Sequence, residues 1–368
     1  MEGIYRLISS LIPTNCTDSD GEVLFHASSI GEINAVYPLI KKFPSYKLSV
    51  FTRWGYDYAR SLGLNAIRFP LDNPRCLRKI LNGVRAVIIA ETEIWPNLII
   101  TAKEMGIKVF IVNGTVGEKW VKFYKALGIF RKALGMVDLV ICQSEEDARR
   151  FMEIGAKNVE VFGNLKFDSV ERPVKDIKFE RFKVENSFIF ANVRGREIED
   201  VIKAIKFSIK RLGNLRFVIA PRHLDNVKRI ANKLKETDID FSLRTREDDS
   251  TVLILDTLGE LWSIYRFGKG CFVGGSLYGY GGHSIIEPAY WKLPTAAGPH
   301  LHKQTYALDM VKEGALFLVR NWEELGNFIV KIYSDEEFSG KLSSKIHEFY
   351  LRNRGIADRV YMKISSWR

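Results

Sequence analysis

Short, unbroken apolar runs alternate with amphipathic segments along most of the chain. VLFHASS (23–29) is followed by GEINAVYPLIKKF, KLSVFT (47–52) by WGYDYARSLG, and AVIIAETEI (86–94) by WPNLIITAKEMG. KVFIVNG (108–114) precedes a basic amphipathic stretch, DLVICQS (138–144) precedes EEDARRFMEIG, and VEVFGNL (159–165) closes the series. Strand-sized apolar runs between helical patterns predict βαβ units and a parallel sheet buried on both faces. Residues 169–186 are charged and lack a period, so they read as a linker. The alternation then restarts with SFIFANV (187–193) and a long helix from Glu197. LRFVIAPRH (215–223), a helix, TVLILDT (251–257) and a helix from Leu258 follow. GCFVGGS (270–276), a helix from Ser284, PTAAGP (294–299) and terminal helices complete it. The expected domains are 1–168 and 187–347, joined by 169–186, with 348–368 a last helix that can cross back to the first. No repeat period and no low-complexity tract is present.

In doubly wound α/β sheets, ligands bind beyond the carboxyl ends of the strands. The richest such place is Cys271–Pro299. Glycines 274, 275, 279, 281 and 282 permit sharp turns and close approach of backbone to a ligand. A helix start at Ser284-x-x-Glu287 follows, and its free N–H groups suit a phosphate, with Glu287 placed for sugar hydroxyls. The same quartet also reads as a plain capping box. In the first half, His26-Ala27-Ser28-Ser29-Ile30-Gly31-Glu32 turns from strand to helix. Glu32 there is either an acid complementing the helix dipole or a general base, and the dipole alone would lower its pKa. Glu91 and Glu93 end the next apolar strand, a hydroxyl-binding or acid–base position unless one merely caps the helix opened by Pro96. Arg222 can clamp a phosphate or carboxylate bidentately. The turn Gly259-Glu260-Leu261 offers backbone groups to a base, and Lys166 can pair with an anion.

The net charge of +11 and pI near 9.3 point to an acidic partner. The basic residues are dispersed and no nucleic-acid-binding motif is present, which argues against nucleic acid. Neither a dinucleotide fingerprint nor a phosphate-loop lysine motif occurs, and no metal-ligand spacing appears. Four cysteines (16, 76, 142, 271) without a CxxC predict no disulfide framework. No stretch is long and apolar enough to span a membrane. Two segments could lie on one: the N-terminal MEGIYRLISSLIP, and 118–136, whose lysines and arginines are interleaved with Trp120, Phe123, Tyr124 and Phe130. The second reads equally well as an ordinary surface helix.

Six ordered segments resemble those of the 3-deoxy-D-manno-octulosonic acid (Kdo) transferases. They are HASSIGE (26–32), ETEIWPNLI (91–99), GNLKFD (163–168), APRH (220–223), DTLGEL (256–261) and GGSLYGYGGHSIIEP (274–288). The resemblance implies a GT-B fold, two Rossmann-like doubly wound domains facing across a cleft. It implies metal-independent, inverting transfer of Kdo from CMP-Kdo to a lipid A precursor, with no cofactor, at the cytoplasmic face of a bacterial inner membrane. Glu32 becomes the base. Ser29, Gly31, Glu91, Glu93 and Lys166 become sugar-site candidates. CMP falls to Pro221, Arg222, Gly259, Glu260, Leu261, Gly275, Ser276, Ser284 and Glu287. The chain departs from the family at Arg194, where many relatives carry His, and in a shorter N-terminal anchor, which implies peripheral attachment to the anionic membrane. A UDP-sugar transferase, a nucleotide-binding regulator without turnover and a nucleic-acid binder are the competing readings. Carboxylates at Glu32, Glu91 and Glu93 disfavour a pure anion binder.

Overall fold

The computed structural model describes residues 16–171 and 174–367. The N-terminal amphipathic segment, up to Pro13, lies outside the described residues. The chain divides into two units, one running to Glu171 and completed by Asn353–Arg368, the other Arg172–Arg352.

The first unit is a seven-stranded parallel sheet in the order β3-β2-β1-β4-β5-β6-β7. Its strands are β1 Val23–Ala27, β2 Tyr46–Val50, β3 Ala66–Arg68, β4 Ala86–Ala90, β5 Lys108–Gly114, β6 Leu139–Cys142 and β7 Val159–Val161. Alternate residues feed opposite faces. Leu24, Val87, Ile89 and Ile111 pack with Leu98 and Phe151 on one face. Phe25, Ile88 and Phe110 pack with Val36 on the other, where Val360 and Ile364 of the final helix, Ile356–Ser365, also lie. Asp168 starts that helix by accepting the Gly355 and Ala357 N–H groups, each at 2.6 Å.

The second unit repeats the plan in the order β10-β11-β9-β8-β12-β13-β14. Its strands are β8 Ser187–Val193, β9 Phe217–Pro221, β10 Phe241–Leu243, β11 Val252–Ile254, β12 Gly268–Val273, β13 Thr295–Ala297 and β14 Phe317–Leu318. Phe188, Phe190, Phe217, Phe272 and Phe328 centre its core. The strand order reverses between β1 and β4 in one unit and between β8 and β12 in the other. Loops diverge there and leave a crevice.

Several expectations are corrected. The basic stretch is two helices, Glu118–Ala126 and Gly128–Leu134, broken at Leu127 where the backbone is extended (φ −110°, ψ 97°). The helix expected from Leu258 begins at Leu261, and the one from Ser284 begins at Ile286 with no side-chain cap. The Ser284–Glu287 capping box therefore does not form. Cys16 and Cys76 form a disulfide, Cα atoms 5.2 Å apart, while Cys142 and Cys271 are free and buried. Cys76 lies on a helix, Pro74–Ile80, that the apolar pattern does not show.

Candidate active site

In the first unit the chemistry gathers where β1 and β4 part. Ser29 caps helix Ile30–Ile40, accepting the Glu32 N–H at 3.3 Å. Glu32 in the first turn reaches back: one carboxylate oxygen accepts the Ser28 N–H at 2.5 Å, the other the Ser29 hydroxyl at 2.9 Å. This is a capping box, readable in retrospect as Ser29-x-x-Glu32. Gly31 beside it is open, since a methyl there would meet only Ser29 Oγ at 3.7 Å.

Burial pushes the Glu32 pKa up to about 7, helped by the charges of Glu93 and Glu91 and opposed by the Ser28 and Ser29 hydrogen bonds. The helix dipole, which alone would lower this pKa, is thus outweighed by desolvation and like charge. Glu93 goes the other way. Burial raises it, but the neighbouring His26 ring, the Ser28 hydroxyl and the Trp95 indole together hold it below its ordinary value. Ser28 Oγ donates to Glu93, and Trp95 Nε1 donates to the same oxygen at 2.9 Å. His26 is fully buried, with Nε2 3.7 Å from Glu93 and the ring 4.4 Å from Phe69. Two neighbouring carboxylates therefore carry opposite pKa shifts, the arrangement that separates a proton-taking group from a permanent charge.

Glu91 has a left-handed backbone (φ 54°) and pairs with Lys166 at 2.9 Å. Left-handed non-glycine residues concentrate at functional sites. Asn113, also left-handed, donates to Glu91 at 3.3 Å and accepts the Leu165 N–H at 2.9 Å. It thereby ties the ETE segment to the segment carrying Lys166.

In the second unit a cavity of about 260 Å³ is lined by Pro221, Arg222, Gly259, Leu261 and Glu287, together with Asn192 and Trp262 among others. Five of the residues expected to hold a nucleotide thus meet around one space. Glu260 points elsewhere: Arg244 holds its carboxylate at 3.1 Å and Thr257 donates to it, which fixes the turn. Gly275 and Ser276 are committed differently again. The N–H groups of Gly275, Ser276 and Leu277 donate at 2.7, 2.8 and 2.9 Å to the carboxylate of Glu197, which is fully buried. Ser276 Oγ donates to Val273 O and accepts the Gly298 N–H. The glycine loop's first amides are therefore spent on an internal carboxylate. Burial raises the Glu197 pKa, and the Gly275, Leu277, Ser276 and Arg194 amides oppose that.

Around the same loop lies a cationic cluster. The Arg194 guanidinium stacks 4.4 Å from the centre of the Tyr280 ring. His283 has its pKa pushed down to about 4, first by burial and then by Arg222, Arg194, Lys303 and His223. Ser284 is not a cap, and Glu287 sits in the first turn of the short helix Ile286–Tyr290.

His26, Ser28, Trp95, Asn113, Asn192, Glu197 and Trp262 were not singled out from sequence. The first three fall inside HASSIGE and ETEIWPNLI, so those segments carried the signal. Glu197 carried none, since its role depends on a loop some 80 residues away.

Among the described residues no cluster of His, Cys, Asp and Glu is arranged to hold a metal, and no helix is long and apolar enough to cross a membrane.

A family model described as 3-deoxy-D-manno-octulosonic-acid transferase (kdotransferase) matches residues 6–169. A bifunctional glycosyltransferase/methyltransferase of Fusobacterium nucleatum is 30% identical over 93% of this chain, which spans only 56% of that protein. A 3-deoxy-D-manno-octulosonic acid transferase of Aquifex aeolicus is 30% identical over 89% of this chain and 94% of its own length. One from Haemophilus influenzae is 25% identical over 94% and 87%. Among solved structures, a UDP-N-acetylglucosamine 2-epimerase aligns with TM-score 0.66 at 14% identity, covering 95% of this chain and 98% of its own. HepE of Anabaena, in complex with UDP, aligns with TM-score 0.61 at 12% identity, covering 94% and 100%. At such identities the likeness is one of fold. It agrees with the expected GT-B class of two Rossmann-like units.

Proposed function

This chain belongs to the 3-deoxy-D-manno-octulosonic acid transferase family of glycosyltransferases, and from that premise we propose that it transfers Kdo from CMP-Kdo to a lipid A precursor. The acceptor hydroxyl attacks the anomeric carbon, the bond from that carbon to the CMP phosphate oxygen breaks with inversion, and the electron pair leaves with CMP. Glu32 takes the acceptor proton. The observation that carries this reading is Glu32 itself, held by Ser28 and Ser29 with a pKa about 7. A base poised there is ionised often enough to act at neutral pH yet basic enough to take a proton.

On the donor side, Arg222 meets the phosphate charge as it develops, and Glu287, lining the same cavity, is placed for ribose hydroxyls. The reading calls for no metal. Glu91 holds Lys166 ready for an anionic sugar. Attachment to an anionic membrane is supported by helix Glu118–Ala126, where Trp120 and Phe123 are 57% and 45% exposed beside Lys119, Lys122 and Lys125. An ordinary surface helix would turn those rings inward.

The test offers the purified protein a lipid A precursor in anionic vesicles with either CMP-Kdo or UDP-sugars. Transfer from CMP-Kdo alone, with thermal protection by CMP and not UDP, is expected. Transfer from a UDP-sugar alone would overturn the reading.

A further inference from the structure

The switch point of the second unit carries more positive charge than one phosphodiester neutralises. Arg194 follows β8, Arg222 follows β9, and Lys303 lies against the loop that follows β12. Among the described residues none of the three has a carboxylate partner; Arg222 and Lys303 are exposed and Arg194 is half-buried, whereas most of the protein's other half-buried cations are paired. All three act on the same ring, His283, and like charges gathered around one point repel one another unless a ligand supplies the counter-charge.

The cluster is also built closely. Three glycines with left-handed backbones each have one of its side chains pressed against them. A methyl on Gly195 would fall 2.3 Å from Tyr280 Oη, one on Gly275 2.8 Å from His283 Cδ2, and one on Gly281 2.6 Å from Lys303 Cγ. The Lys303 N–H donates to Gly281 O at 3.1 Å, and Gly282 N–H closes the loop onto Gly275 O at 2.6 Å. Tyr280 in turn holds the Arg194 guanidinium over its ring. His283 Nε2 is buried without a hydrogen-bond partner. Burial and the surrounding cations keep that ring neutral, so it adds hydrogen-bonding capacity and not charge.

We infer that Arg194, Lys303 and His283 form a second anion subsite beside Arg222, one that takes the carboxylate of a sugar-acid nucleotide while Arg222 takes its phosphate. This rests on the donor reading given above and deepens it. A planar guanidinium fixed on an aromatic face suits a carboxylate's two oxygens. A nucleotide carrying a neutral sugar would supply no counter-ion to Arg194 and Lys303, which both lie around His283.

The test is binding of CMP and of freshly generated CMP-Kdo to the full chain, read by tryptophan fluorescence, since Trp262 lines the adjoining cavity. Arg194→Ala and Lys303→Ala weaken CMP-Kdo by about tenfold or more and CMP by less than about threefold. Arg194→Lys recovers part of the loss, and Arg222→Ala weakens both ligands. Equal losses for the two ligands in Arg194→Ala and Lys303→Ala, or no loss for either, would overturn the subsite and leave the donor reading intact. If the wild type binds neither nucleotide, the donor reading itself fails and the subsite with it. Unchanged melting temperatures confirm that the variants fold.

Discussion

Glu32 and Glu93 leave different strands of one sheet, yet both are bonded to Ser28, Glu32 to its N–H at 2.5 Å and Glu93 to its hydroxyl. The Glu93 charge is second only to burial in raising the Glu32 pKa. A base works when ionised, so kcat/KM should rise with pH through about 7 and level off above it. Glu93→Gln removes that charge. Its acidic limb should shift to lower pH, whatever happens to the plateau. A limb that stays in place would show that Glu93 does not tune Glu32.

The same shift links stability to pH. Between about 4.5 and about 7 the native state retains a proton on Glu32 that the unfolded chain has released. Stability should therefore fall as pH rises through this window, and the Glu32 contribution is fully lost above it. Glu32→Gln keeps a hydrogen-bond acceptor and removes the titration. Relative to wild type it should gain up to about 3 kcal/mol between pH 4 and pH 8. Denaturant melts at the two pH values measure this, and parallel curves would contradict it.

Glu197 is the strut beneath the glycine loop. Glu197→Ala leaves the Gly275, Ser276 and Leu277 N–H groups without their acceptor in a dry site. The expected loss is about 3–5 kcal/mol, with Glu197→Gln milder because one acceptor oxygen remains. Thermal unfolding checks the order of the three proteins. An alanine variant as stable as wild type would show that the loop supports itself.

The sheets were legible because parallel strands buried on both faces are unbroken apolar runs. VLF, AVIIA, FIFA and FVIA all stand in their sheets as written. The edge strands β3, β10 and β14, of two or three residues, were not, whereas β7, β11 and β13, equally short, were read because VEVF, VLIL and TAA each fill a place in the alternation. Glu32, Arg222 and Glu287 could be picked out because chemistry at strand ends is local in sequence. Glu197 could not: an acid in the first turn of a long helix looks like a dipole partner until the fold lays β12 beside β8. The glycine loop misled for the same reason, because sequence shows that its amides can converge but not on what.

The Cys16–Cys76 bond is equally non-local, its ends 60 positions apart. Thiol titration of the denatured, unreduced protein should count two free cysteines, Cys142 and Cys271. Reduction should lower stability by about 4 kcal/mol on the loop-entropy estimate. Four titratable thiols would contradict the pairing.

In the proposed mechanism Glu32 takes the proton from the acceptor hydroxyl during Kdo transfer. The most direct test is transfer from CMP-Kdo to a lipid A precursor at pH 8, with wild type and Glu32→Ala compared at saturating donor and acceptor. Wild type is expected to transfer Kdo, the variant to fall by about 100-fold or more, and CMP binding to be unchanged between them. Transfer that survives the substitution would contradict that role and move the base elsewhere in the cluster.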